Sequence, residues 1–280
     1  MKLLKRVAAI HDISGVGKCS LTVILPIISA AGVECSVMPT AVLSTHTGGF
    51  ENFTFRDLTD DLLPIAEHWK KENIIFDALY SGYLGSLAQI DIVMDIFDML
   101  RTPETMIIVD PVMADNGELY SRFTSEHVKG MAKLCGCADV IIPNRTEASF
   151  MLGREYKKSP MTVEEVNDTL YALSDLGARK VVLTGVCFSN SDLGVACYDA
   201  QTGQIDYIME TRIEGTYPGT GDVFGALLVS ALMKGKNLAD ASNIAVRYTC
   251  EAIRLTSADK TQPRMGIRFE SILDSFCGKI

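Results

Sequence analysis

The residues with the most chemical potential stand together at Gly219-Thr220-Gly221-Asp222, inside the stretch Thr211 to Lys234 that reads TRIEGTYPGTGDVFGALLVSALMK. Two glycines let a backbone turn tightly and approach a ligand with no Cβ in the way. A helix starting near Gly221 aims unpaired N–H groups and its positive dipole end at the same spot. That combination makes an anion site, and Asp222 sits inside it. A carboxylate there is either a helix N-cap or a base held beside a phosphate; Gly-x-Gly-Asp before a helix is also ordinary capping chemistry.

Other carboxylates recur at the ends of apolar runs. Met106-Ile-Ile-Val-Asp110-Pro-Val-Met113 is a buried-strand pattern that reaches Asp110. Asp139-Val-Ile-Ile-Pro-Asn144 is a second, with Asn144-Arg-Thr-Glu147 opening the next helix. Glu147 also fits the acidic half of a capping box. Two strands that end in Asp110 and in Asn144/Glu147 point to a metal–phosphate site, although each has a plainer reading alone. A third run, Val7 to Ile10, ends at His11-Asp12 and leads into Ser14-Gly-Val-Gly-Lys18. Gly17-Lys18 is not a P-loop, because Asp12 and Cys19 occupy the positions where that motif needs glycine and a hydroxyl residue. Thr45, His46 and Thr47 supply small polar groups for a pocket, or an edge strand with a glycine turn.

The elements that position these residues alternate. The pattern predicts strands at 7–10, 33–38, 74–79, 106–113, 139–144 and 180–185, and helices at 21–31, 60–72, 86–100, 125–134 and 162–176. Ala114 to Tyr120 is expected as a turn or flap. The runs 193–198 and 204–209 predict an antiparallel hairpin at the sheet edge. Two helices follow, one at the glycine motif and one at 238–255, then a less regular tail. Fully apolar strands imply a mostly parallel sheet covered on both faces, whose carboxyl edge carries the ligand. The fold class is therefore α/β, in a single domain spanning 1–280.

Bulk properties narrow the partners. In 280 residues, 48% hydrophobic and 22% charged, the net charge is −9, against a nucleic-acid or anionic-membrane partner. Lys2, Lys5 and Arg6 precede an apolar run too short for a signal-peptide core. Eight scattered cysteines then suggest the reducing cytoplasm. Cys135-Gly-Cys137 has no second Cys/His pair beside it and reads as packing.

Taken together, the motifs resemble the ribokinase-like superfamily over essentially the whole chain, and within it the vitamin B6 (pyridoxal) kinases most. Asp110-Pro-Val, Pro143-Asn144-Arg-Thr-Glu147, Val181-Val-Leu-Thr184 and Arg212-Ile-Glu-Gly-Thr-Tyr-Pro-Gly-Thr-Gly-Asp222 carry the likeness. Ser44-Thr-His-Thr47-Gly and Ser81-Gly-Tyr83 resemble the stretches that hold the pyridine ring. The resemblance implies ATP-dependent phosphorylation of a 5′-hydroxymethyl group. Asp222 would be the base, and Gly219, Thr220 and Gly221 the anion hole. Asp110 and Glu147 would hold Mg²⁺ and phosphate-bound water, Asn144, Thr184, Gly185 and Ile213 would line the nucleotide site, and Tyr120 would cover the phosphates. Thr47 and Tyr83 would contact the ring. A monovalent cation near Thr184 and a homodimer are further family-level implications.

Three positions depart from that pattern: Asp12 in place of a serine near the ring, Ala114 in place of a flap glycine, and Ile142 in place of a threonine. Asp12 and Ser14-Gly15 favour the alternative, a hydroxymethylpyrimidine kinase. A noncatalytic vitamer-binding protein is a third reading, opposed by the intact Asp222, Asp110 and Glu147.

Overall fold

A computed structural model describes residues 4–258 and 263–278. Nine strands form one sheet in the order β11-β10-β9-β8-β5-β4-β1-β2-β3. These are β1 (Arg6–Ser14), β2 (Glu34–Leu43), β3 (Phe55–Asp57), β4 (Ala78–Ser81), β5 (Met106–Val109), β8 (Val140–Ile141), β9 (Lys180–Val186), β10 (Asp192–Asp199) and β11 (Gln204–Thr211). The pairs from β2 through β1, β4, β5 and β8 to β9 are parallel. Antiparallel β3 closes one edge, and the hairpin β10–β11, joined antiparallel to β9, closes the other. The short hairpin β6 (Ala114–Asp115) and β7 (Glu118–Leu119) stands apart as the flap.

Side-chain alternation explains why both faces are covered. In β1, Val7 and Ala9 enter one core while Ala8 and Ile10 enter the other. Ile108 and Val182 follow the first pair; Ile107, Val109, Val181 and Leu183 follow the second. Helices α1 (Leu21–Ala30), α7 (Thr220–Met233) and α8 (Leu238–Ala258) cover the first face. The second is covered by α2 (Thr59–Lys71), α3 (Leu87–Leu100), α4 (Ser125–Gly136), α5 (Arg145–Met151) and α6 (Val163–Ser174). Helix α7 is buried from Val223 to Met233, so its N-terminus has a fixed position against the sheet edge. No described helix is long and apolar enough to cross a membrane.

The sequence pattern misplaces some strand ends. β4 begins at Ala78 rather than Ile74, because the parallel register with β1 starts at Val7 opposite Ala78, and Ile75 is solvent-exposed. β5 stops at Val109, since Pro111 has no N–H for a ladder. β1 runs further than expected, through His11 and Asp12 to Ser14, with a register shift against β2 between His11 and Ile13. Such irregularities re-aim side chains, and Asp12 lies at this one.

Candidate active site

Asp222 occupies the first turn of α7. Burial pushes its carboxyl up to about 7; the Ser20 backbone amide counteracts this, and the Asp12 carboxylate adds to it. No side chain caps α7, and the N–H groups of Gly221 and Asp222 have no partner among the described residues. The helix therefore presents free donors and a carboxyl group with an ionisation near neutrality at one point.

The two glycines differ in their work. Gly219 has φ 79° and forms the N-cap; a Cβ built there would overlap the Lys18 carbonyl oxygen. Its missing side chain makes room for the 17–20 loop rather than for a ligand, contrary to the expectation for both glycines. Gly221 faces open space, with nothing within 4 Å of a built Cβ.

Asp12 reaches the same edge from β1. Its Oδ2 accepts from Ser14 Oγ at 3.1 Å and its Oδ1 from Ser20 Oγ at 2.5 Å. Burial raises its pKa, and the two hydroxyls oppose the rise. Tyr83, half-buried after β4, sets its ring 5.5 Å from Phe123. Thr47, on the loop after β2, is exposed. Its neighbour His46 is buried instead, Nε2 donating to Arg264 O at 2.7 Å while Nδ1 accepts from Gly48 N at 3.0 Å. That histidine anchors the loop to the C-terminal segment.

Asp110, after β5, is buried, and its carboxylate accepts no hydrogen bond among the described residues. Burial and the field of Asp222 hold its pKa well above the usual carboxylate range. Glu147 is raised likewise by burial and by Asp110. Glu147 does complete the capping box: Oε2 accepts from Asn144 N at 2.8 Å and Oε1 from Met113 N at 3.2 Å. Two neighbouring buried acids, one with all its acceptor capacity free, fit a divalent cation. Among the described residues no three His, Cys, Asp or Glu form a metal cage; Mg²⁺ is an ion bound through one or two carboxylates that keeps waters and phosphate oxygens as its other ligands.

The remaining expected residues are spread along the same edge. Asn144 Oδ1 caps Thr146 and Glu147 at 2.8 and 3.0 Å, and its Nδ2 donates to Ala114 O at 2.8 Å, tying the flap. Its amide is thus engaged by the fold. Thr184 bridges to Asn144, and Gly185 has φ 76°. Tyr120 follows the flap, 42% exposed; burial of its hydroxyl and the fields of Glu147, Asp115, Asp110 and Asp222 raise its pKa. Ile213 is half-buried in the otherwise exposed segment that follows β11.

Two residues escaped the sequence reading. Ser20 hydrogen-bonds Asp12 and turns its backbone amide toward Asp222, and only a strand–loop–helix context hinted at it. Tyr80 is fully buried, its hydroxyl without a partner, on a T-shaped contact with His11 at 4.5 Å. A Cβ at Gly225 would overlap that hydroxyl, so α7 needs glycine there.

The family model for phosphomethylpyrimidine kinase matches residues 26–267. The chain belongs to the phosphomethylpyrimidine kinase family. A putative phosphomethylpyrimidine kinase from Bacteroides thetaiotaomicron is 40% identical, with a TM-score of 0.96, covering 100% of this chain and 96% of that one. A second crystal form of it, with pyridoxal, superposes at 0.93 with 40% identity over 98% and 96%. Pyridoxal kinase from Lactobacillus plantarum is 31% identical at a TM-score of 0.89, covering 98% and 97%. The fold is ribokinase-like and the protein is a kinase of that superfamily. The expectation that pyridoxal kinases are the nearest family is corrected by the family match and by the 40% relative. The alternative that Asp12 and Ser14-Gly15 favoured is the one the family match backs.

Proposed function

We propose that this kinase transfers the terminal phosphoryl group of ATP to the hydroxymethyl group of a pyrimidine or its monophosphate. One observation carries the reading: Asp222, with its ionisation pushed up to about 7, sits beside free N–H groups at the start of α7. A base poised near neutrality is suited to accept the proton of an alcohol. The alcohol oxygen then attacks the terminal phosphorus, the bond to the ADP oxygen breaks, and the proton remains on Asp222. The N–H groups of Gly221 and Asp222, with the α7 dipole, balance charge on the phosphoryl oxygens in flight. Thr220 and Gly219 set the turn that aims them.

Asp110 and Glu147 would hold Mg²⁺, which when bound neutralises phosphate charge. Tyr120 covers the phosphates from the flap, and Thr184, Gly185 and Ile213 border the nucleotide. Tyr83 supports the ring, and Asp12 accepts a hydrogen bond from a ring donor. An amino group next to the hydroxymethyl of a pyrimidine suits an acceptor in that place.

A second reading, pyridoxal as acceptor, is favoured by the Bacteroides relative crystallised with pyridoxal. The test is parallel turnover with ATP of hydroxymethylpyrimidine, its monophosphate and pyridoxal, reading phosphorylated product by ³¹P NMR. We expect the higher kcat/KM with a pyrimidine. A higher value with pyridoxal selects the second reading, and no product from any of them removes the kinase assignment of this site.

A further inference from the structure

The loop between β1 and α1 is pressed against the start of α7. Lys18 O lies where a Gly219 side chain would be, and Cys19 Sγ is 3.8 Å from the same built Cβ. Lys18 also meets Gly266 of the C-terminal segment, and its N–H donates to Met265 O at 3.3 Å. At the end of this clamped loop stands Ser20, with φ 54° and ψ −134°. Glycine adopts such a conformation freely, while for an L residue it stores about 1–3 kcal/mol of strain. Strain of this kind persists only where surrounding structure imposes it.

The serine hydroxyl is not there to cap α1, with which it makes no capping bond. It donates to Asp12 Oδ1 at 2.5 Å, while the backbone amide of the same residue faces Asp222. One residue therefore bonds the Asp12 carboxylate of β1 and turns its backbone amide toward that of Asp222 in α7. We propose that Ser20 is a positioning residue that holds Asp12 and Asp222 in fixed mutual register, so that the ring donor and the reacting hydroxyl of one acceptor molecule are seated together. With Ser14 on Oδ2 and Ser20 on Oδ1, Asp12 is kept as an acceptor with one lone pair left on each oxygen. This deepens the assignment of the site as an alcohol kinase and rests on it for the identity of the acceptor.

The test uses Ser20→Ala, which removes the hydroxyl alone, and Ser20→Gly, which removes it and relaxes the backbone and so cannot fail through strain. The first readout needs no substrate: ¹³C-carboxylate NMR titration of aspartate-labelled protein. Asp12 is surrounded by Ser14, Ser20, His46, Tyr83, Cys19 and Asp222, and only Ser20 is altered. Loss of its donated hydrogen bond is expected to move the Asp12 titration upward in both variants. The second readout is steady-state kinetics on whichever alcohol the wild type phosphorylates. KM for the alcohol is expected to rise about 10-fold or more while KM for ATP stays within about 2-fold. In an Asp12→Asn background, the Ser20 change should then add less than about 2-fold, as expected for residues acting as one unit. An unmoved Asp12 titration in folded variants overturns the proposal, whatever the substrate. Equal losses with and without Asp12 overturn it too.

Discussion

Replacing Asp222 by Asn tests the proposed chemistry most directly. The amide keeps the size of the side chain and the backbone N–H groups of α7 but cannot accept a proton. Loss of a general base costs about 10²–10⁴ in rate, or roughly 2.7–5.5 kcal/mol of transition-state stabilisation. The wild-type carboxyl is pushed up to about 7 by burial, so kcat/KM should climb about 10-fold per pH unit below 7 and level off above it. The Asn variant should lack that acid limb and bind ATP with unchanged affinity. The same shift has a stability consequence of fixed sign. A carboxyl whose folded pKa lies above its unfolded value stabilises the protein fully below about 4, and that contribution is lost as pH rises through about 7. Three units correspond to about 4 kcal/mol at most, and solvent at the half-buried mouth reduces this to about 1–2. Asp222→Asn should therefore melt a few degrees higher than wild type at pH 8 and gain nothing near pH 4. Coupled ADP-release assays from pH 5.5 to 9 and thermal melts read both. Turnover of the Asn variant within about twofold of wild type would refute the role, and so would an acid limb that survives the substitution.

The other predictions follow from single contacts. Gly219→Ala should cost about 2 kcal/mol or more in stability and at least 10-fold in kcat, because of the positive φ and the Lys18 carbonyl. Gly221→Ala, with open space around its Cβ, should keep or raise Tm while lowering kcat; unchanged turnover would move the phosphate elsewhere. Tyr80→Phe removes a buried hydroxyl without a partner and should stabilise by about 1 kcal/mol in denaturant titrations. The same change should partly rescue Gly225→Ala, whose Cβ meets that hydroxyl. Asp110→Asn should raise the Mg²⁺ concentration for half-maximal turnover by about 10-fold or more, measured against a fixed ATP concentration. Asp12→Ser should change the kcat/KM ratio between pyrimidine and pyridoxal; equal ratios would exclude a ring contact.

Much of this was legible in the sequence because it is local. Apolar runs marked β1, β5, β8 and β9, and the box Asn144-x-x-Glu147 marked the start of α5 with both reciprocal bonds present. The hairpin β10–β11 followed from alternation and the Asp199–Gly203 turn. Strand ends were less legible, because parallel register depends on a neighbour far away in the chain, as with Ala78 opposite Val7. The Thr45–Thr47 stretch shows the limit for side chains. Composition offered three donors, yet the tertiary contact to Arg264 took His46 inward and left Thr47 in solvent.

By itself the sequence determined a parallel α/β sheet and the acids at its carboxyl edge, since residue types and short spacings govern strand burial, caps and helix starts. Only the tertiary structure decided which of those acids meet. Asp12, Asp110, Glu147 and Asp222 come from four separate stretches, and their raised ionisations arise from shared burial that no local pattern contains. It also decided why Gly219 is glycine and why Ser20 is held at φ 54°. Both depend on one loop packed against one helix end, some 200 residues apart in the chain.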